Sequence, residues 1–280
     1  MSENSCGSGG CATNKEAEEK KMAELMGRIK NKIVVLSGKG GVGKSTVAAN
    51  LAVGLSLEGN KTGLLDVDVH GPSIPRLLKL TGTRPGVRND TMIPVEYSWN
   101  LGVMSVGFLL PDEHEAVVWR GPVKGSVIKQ FLDGVEWGER DYLIIDCPPG
   151  TGDEPLSVLQ FLGKDAKAVI VTSPQAVAMD DVRRSITFCR LMDTEIIGIV
   201  ENMSGFVCPD CGAVHNIFDT GGGERLALDA GVPFLGRIPI DMEAAKAGDN
   251  GEALLAVKSD SPASQAFKHV VRAVIKSSKK

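Results

Sequence analysis

Residues 32–59 read KIVVLSGKGGVGKSTVAANLAVGLSLEG, and this stretch decides the fold. Lys32–Ser37 is a short Val/Ile-rich run of the kind that forms a buried strand, and TVAANLAVGLSLEG continues as a helix. Between them, Gly38-Lys39-Gly40-Gly41-Val42-Gly43-Lys44-Ser45-Thr46 satisfies GxxxxGK[ST] in the strand-loop-helix setting that the motif requires. The glycines let successive backbone N–H groups turn inward around phosphate oxygens, and the helix adds its positive end. All nine residues are therefore expected to bind nucleotide. Lys44 should bridge the β and γ phosphates, and the Ser45 hydroxyl should ligate Mg²⁺. A ligand-free Gly-rich turn is the competing reading, and the flanking strand and helix weigh against it.

Working outward, the same grammar repeats. TGLLDVD, LGVMSVGFL, YLIIDCPP, AVIVTSP, IIGIVENMS and VPFLGRIPI are apolar runs separated by amphipathic segments, as in strands buried on both faces of a mainly parallel sheet. The expected fold is a doubly wound α/β single domain over residues 32–280, with ligands beyond the carboxyl ends of its strands. An irregular insertion at 204–223, containing CPDC and ending in TGGG, breaks the alternation. Residues 1–31 are expected to form a flexible N-terminal extension carrying Cys6 and Cys11.

The chain has 280 residues, 42% of them apolar, which is enough for a substantial core. Net charge is -4, from 31 basic and 35 acidic residues, so no overall field draws it to nucleic acid or an anionic membrane. No apolar run approaches the roughly 18 residues that span a bilayer, and the N-terminus lacks a signal peptide's apolar region. A cytoplasmic protein is expected, with no nucleic acid or membrane partner. In that compartment the six cysteines should be reduced, and a CxxC pair favours metal or redox chemistry over a disulfide.

Acids at strand ends supply the rest of a hydrolytic site. Asp146 closes YLIID, where a carboxylate can hold the Mg²⁺ shell, and Asp66 and Asp68 follow LL in LLDVDVHGPS. Asp68 is expected to orient the attacking water or support the metal; for Asp66, capping of local backbone is an equal alternative. Gly150, in DCPPGTGD, could offer its N–H to a γ-phosphate, and His70 is the histidine best placed to sense nucleotide. Lys39, Lys44, Asp68 and Asp146 form the candidate catalytic set.

GKGGVGKST, DVDVHGPS, DCPPGTGD, VENMS and CPDC, in this order across residues 32–280, resemble the Mrp/ApbC-type P-loop iron-sulfur cluster carriers. These belong to the SIMIBI-type, deviant-Walker class that includes MinD and ParA. The resemblance implies two subunits closing face to face around ATP, with Lys39 reaching across to the partner's phosphates. It also implies that Asn202 bonds adenine and that Pro239 and Asp241 flank the base. The eukaryotic cytosolic scaffolds carry a four-cysteine N-terminal motif; here only Cys6 and Cys11 stand in that region.

Several readings of Cys208 and Cys211 compete. A thioredoxin-like pair should open a helix, and GAVHN after CPDC has no helical pattern. A zinc knuckle could recruit His215 but lacks a fourth ligand. A [4Fe-4S] cluster shared across a two-fold axis, each chain giving two thiolates, completes the set. The expected function is thus an ATPase that carries such clusters to apo iron-sulfur proteins, as a homodimer or a heterodimer with a paralogue. The alternative is a MinD/ParA-like positioning ATPase with CPDC as a zinc site. The C-terminal stripe Phe267, Val270, Val271, Val274 and Ile275 could then lie on a membrane, although packing on the sheet is the preferred reading. A P-loop kinase would need a second substrate pocket that the sequence does not announce.

Overall fold

The computed structural model describes residues 20–110, 119–257 and 260–279. Eight strands form one sheet: β1 (Ile29–Leu36), β2 (Thr62–Asp66), β3 (Val95–Ser98), β4 (Leu101–Ser105), β5 (Arg140–Asp146), β6 (Ala166–Thr172), β7 (Glu195–Glu201) and β8 (Phe234–Arg237). Their order is β8-β7-β6-β1-β5-β2-β4-β3, parallel throughout except for β3, which runs antiparallel to β4. The principal helices are α1 (Lys44–Leu57), α2 (Gly121–Asp133), α3 (Asp153–Leu162), α4 (Ala176–Leu191), α5 (Gly222–Ala230), α6 (Met242–Asp249) and α7 (Pro262–Ser278).

The strands are apolar on both sides because helices cover both sides. On β1, Ile33 and Val35 face the core built with α1 and α7, while Val34 and Leu36 face the core built with α2, α3 and α4. The same alternation places Ile144 in the first core and Leu143 and Ile145 in the second. Helix α1 is buried almost all round, which its Ala/Val/Leu composition permits. Gly54 is needed there: a Cβ would lie 2.5 Å from Val271 Cγ2 and 2.8 Å from Leu255 Cδ1, so its absence lets α7 approach. In α7, Phe267, Val270, Val271 and Val274 are buried and Ile275 packs against that core. The stripe is spent inside the protein, as the packing reading expected. Among the described residues no helix is long and apolar enough to cross a membrane.

Two features differ from expectation. First, the boundary drawn at residue 31 falls inside β1, and Met22 and Met26, on a helix over 20–27, are buried in the second core. Lys32 secures this segment, its Nζ donating at 3.0 Å to the carbonyls of both Met26 and Ile29. The charged residues around 20–28 conceal the apolar edge, Met22 and Met26, by which this helix docks; Cys6 and Cys11 lie outside the described residues. Second, β3 and a hairpin of Gly86–Arg88 with Thr91–Ile93 were not expected. Both are short and at most half-buried, so they carry no apolar run. The hairpin turns at Asn89 and Asp90, with φ of 50° and 59°, in the left-handed region that these residue types tolerate.

Candidate functional site

Every parallel strand ends on the same side of the sheet, and the candidate residues gather there. The loop from Ser37 to Gly43 joins β1 to α1. Gly41 and Gly43 both have φ of 80°, the left-handed conformation that suits glycine. A Cβ on Gly43 would also run into the Asn202 side-chain amide, and one on Gly38 into the backbone of Asp181. Lys44 opens α1, buried, with Nζ 2.5 Å from Asp146 Oδ1 and 3.3 Å from Ser45 Oγ. Lys39 is exposed on the loop.

Asp66 and Asp146 are register partners at the ends of β2 and β5, and both are fully buried. Asp66 accepts from the backbone N–H groups of Asp68 (3.0 Å) and Ile74 (3.3 Å) and from the Ser105 hydroxyl (3.0 Å). Those bonds fix the loop after β2, so the capping role holds for Asp66. Asp68 Oδ1 in turn accepts from His70 N (3.2 Å) and Gly71 N (3.1 Å), shaping the HGPS turn. Among the described residues Asp146 Oδ2 is buried with no hydrogen-bond partner. The Ser45 hydroxyl reaches the same carboxyl group, and together they make a hard-oxygen donor pair that fits Mg²⁺.

One lysine serves two buried carboxylates, and the charges show it. Burial opposes the Lys44 ammonium, but the charge and hydrogen bond of Asp146 outweigh burial and raise its pKa. Burial also raises Asp146 above the usual carboxylate range, against the pull of Lys44. Asp66 is pushed up to about 8, by burial first and then by the charge of Asp146. An unfolded Asp66 releases its proton near 3.8, so between these values the folded state binds the extra proton. The stability of the ligand-free protein should therefore fall as pH rises across that window, by at most about 1.4 kcal/mol per pH unit from this group. Urea unfolding across the window checks this: Asp66→Asn should flatten the slope, and an unchanged slope would reassign it.

Gly150, with φ of 89°, donates its N–H to the Ser37 carbonyl at 2.8 Å. In this arrangement the group expected to meet a γ-phosphate instead ties its loop to the end of β1. A partly buried network also ties His70 to two charges that the sequence did not single out. Lys124 Nζ sits 2.7 Å from Glu154 Oε1 and 2.8 Å from His70 Nε2, joining the HGPS turn to the start of α3.

Asn202 follows β7, its N–H on the Thr172 carbonyl (2.8 Å) and its side-chain amide on the Val42 carbonyl (2.9 Å), so it touches the phosphate loop directly. Pro239 and Asp241 lie between β8 and α6. Asp241 caps α6, accepting from Glu243 N (2.7 Å) and Ala244 N (3.3 Å), and also takes Ala263 N at 3.2 Å. Burial favours its neutral form, but bonds from the Ser261 side chain and these N–H groups prevail and lower its pKa. Its carboxylate is thus already engaged.

The insertion contains a hairpin of Phe206–Val207 with Val214–His215, and CPDC is its turn. Cys208 N donates to the Ala213 carbonyl and Gly212 N to the Cys208 carbonyl, both at 2.9 Å, with Gly212 at φ 70°. The sulfur of Cys208 accepts from the N–H groups of Cys211 and Asp210 and is also hydrogen-bonded to the Cys211 thiol, which lowers its pKa. Pro209 has no N–H to give, and the N–H groups of the two residues after it are the ones that meet this sulfur. Cys211 is exposed and Cys208 partly so. Among the described residues no third His, Cys, Asp or Glu joins them as a metal group, so His215 does not complete a knuckle. Cys147 and Cys189, by contrast, are buried, and burial raises both thiols.

Strand, glycine loop, buried lysine and strand-end carboxylate together define a P-loop nucleotide-binding protein. A family model described as "ParA: NUBPL iron-transfer P-loop NTPase" matches residues 28–275. The chain belongs to that family. It is 51% identical over 255 residues to the "Cytosolic Fe-S cluster assembly factor NUBP2 homolog" of Trichoplax adhaerens, covering 90% of this chain and 96% of the relative. It is 48% identical over 258 residues to the "Iron-sulfur cluster carrier protein" of Methanocaldococcus jannaschii, covering 92% and 88%. Among solved structures, a nucleotide-binding protein from Archaeoglobus fulgidus in complex with ADP is 41% identical with a TM-score of 0.75, covering 84% of this chain and 92% of that one. Likeness to the more distant MinD and ParA ATPases extends to the fold alone.

Proposed function

We propose that this protein is a cytoplasmic ATPase that holds a [4Fe-4S] cluster between two subunits and hands it to apo iron-sulfur proteins. The observation that carries this reading is the CPDC turn: two free cysteines on an exposed hairpin, with no third ligand type joining them among the described residues. A two-fold pairing turns two ligands into the four that such a cluster takes. Carrier and assembly-factor names among relatives near half identity support the same cargo.

In this mechanism the ammonium of Lys44 leaves Asp146 for the phosphates of ATP, and the loop N–H groups from Gly38 to Thr46 hold the oxygens. Mg²⁺, held by Ser45 and on the side of Asp146, would neutralise phosphate charge. Asp68, close enough for its charge to act on Asp146, orients water, and Lys39 acts on the partner's nucleotide. Asn202, Pro239 and Asp241 surround the base. Binding and hydrolysis shift the pair between cluster-holding and cluster-releasing arrangements. The same fold in a positioning ATPase would need a membrane or partner face, and the α7 stripe that suggested one is buried.

Metal and sulfide analysis of protein purified without air, alongside its mass in solution, tests the proposal. The expected result is about four irons and four sulfides per dimer. Stoichiometric zinc without sulfide, or a monomer that binds the full cluster, would sink it.

A further inference from the structure

The strand that supplies Asn202 ends one residue earlier on Glu201, whose carboxylate is fully buried although nothing in the nucleotide site uses it. Its Oε1 accepts from the Ser204 hydroxyl at 2.5 Å and from Gly221 N at 3.2 Å, with Arg237 Nε 3.5 Å away; its Oε2 accepts from Gly223 N at 2.5 Å. Ser204 begins the CPDC insertion, and Gly221 and Gly223 end it. One carboxylate therefore gathers both roots of the loop that bears the cysteines. The approach is tight: a Cβ on Gly223 would stand 3.0 Å from Glu201 Oε2 and 3.2 Å from both Glu201 Cβ and Thr172 Cγ2, so those neighbours would have to give way by a few tenths of an ångström.

The neighbouring residue points the other way along the same wire. Asn202 holds the Val42 carbonyl and fills the space beside Gly43, where an added Cβ would collide with it. The roots are also laced to the segment after β8, by Ile238 N to the Glu201 carbonyl (2.9 Å), Ser204 N to the Ile238 carbonyl (2.9 Å) and Ile240 N to the Gly205 carbonyl (2.7 Å). That segment carries Pro239 and Asp241. Charge-assisted bonds to buried N–H groups are short and directional, so the carboxylate and its donors move as a unit.

We propose that Glu201 is a positioning residue that couples the phosphate loop to the CPDC hairpin. Phosphates displace Val42 and Gly43, Asn202 follows, and Glu201 passes the shift to Ser204, Gly221 and Gly223. The cysteines of two subunits are thereby brought together or apart. The inference rests on the carrier reading for its purpose, but its geometry stands without a cluster.

The test uses full-length, metal-free, reduced protein, and measures alkylation of Cys208 and Cys211 by iodoacetamide with and without Mg-ADP or a non-hydrolysable ATP analogue. In the parent, nucleotide should change the labelling rate several-fold. In Glu201→Gln, which replaces one acceptor oxygen with an amide N–H₂, nucleotide should bind with parental affinity while the labelling rate no longer responds. Ser204→Ala, which leaves the carboxylate and its glycine contacts in place, should show an intermediate response and carries the test if the first variant does not fold. A residue that merely held the loop would change the labelling rate equally with and without nucleotide. A parent whose thiols ignore nucleotide, or variants that respond as the parent does, would overturn the coupling. A parent that responds but takes up no iron would instead overturn the carrier reading and leave the coupling standing.

Discussion

Cys208→Ala and Cys211→Ala are each expected to lower the iron held after anaerobic reconstitution by about tenfold or more, and the double variant should do little worse than either. The reason is symmetry: one substitution in the chain removes two of four thiolates from the pair, so each single variant already lacks half the ligand set. Removing Cys208 also discards the sulfur that the N–H groups of Cys211 and Asp210 stabilise. Neither cysteine is buried in a core, so the stability change should stay within about 0.5 kcal/mol and nucleotide affinity should be kept. Iron and sulfide assays read beside urea midpoints separate ligand loss from unfolding. Variants holding as much iron as the parent would place the cluster elsewhere.

Lys44→Ala should abolish nucleotide binding, with affinity falling by about a hundredfold or more, because a charge-assisted phosphate contact is lost from a buried position. It should also unsettle the empty protein. Asp146 Oδ1 loses its 2.5 Å partner, Oδ2 has none among the described residues, and Asp66 stands beside it at the end of the neighbouring strand. Breaking a buried pair from one side typically costs about 3–5 kcal/mol, since the remaining charge is uncompensated. Protonation relieves that cost, so the deficit should be smallest at low pH and grow as pH rises. Calorimetric titration with ATP and unfolding at two pH values check the two halves separately. Parental affinity, or a deficit independent of pH, would contradict the roles given to Lys44.

What the sequence disclosed and what it hid follow from how far apart the partners lie. The motif from Gly38 to Thr46 is contiguous and its flanking strand and helix are local, so the strand-loop-helix unit is legible in the sequence. Strands buried on both faces were readable because both neighbours must be apolar. Edge strand β3 was not, since an edge is half-solvated and carries no run. Residues 20–31 were misjudged because a few apolar side chains, Met22 and Met26 among them, suffice to dock a charged helix. Glu201 and the Lys124–Glu154 pair were invisible for a different reason. Each is a lone charge whose meaning comes from groups brought together by tertiary folding, and a buried carboxylate looks like any other Glu until its donors are placed.

The convergence of Ser204, Gly221 and Gly223 on one carboxylate has a bearing on how such proteins diversify. Chain length between those roots adds little to the closure entropy of the rest, and loops held at both ends accept replacement more readily than strands. On the carrier reading, the sheet and its phosphate loop would form an interchangeable motor, and the hairpin a detachable tool, joined through a fitting a few residues wide. A lineage could exchange the tool, and with it the cargo, without redesigning the motor.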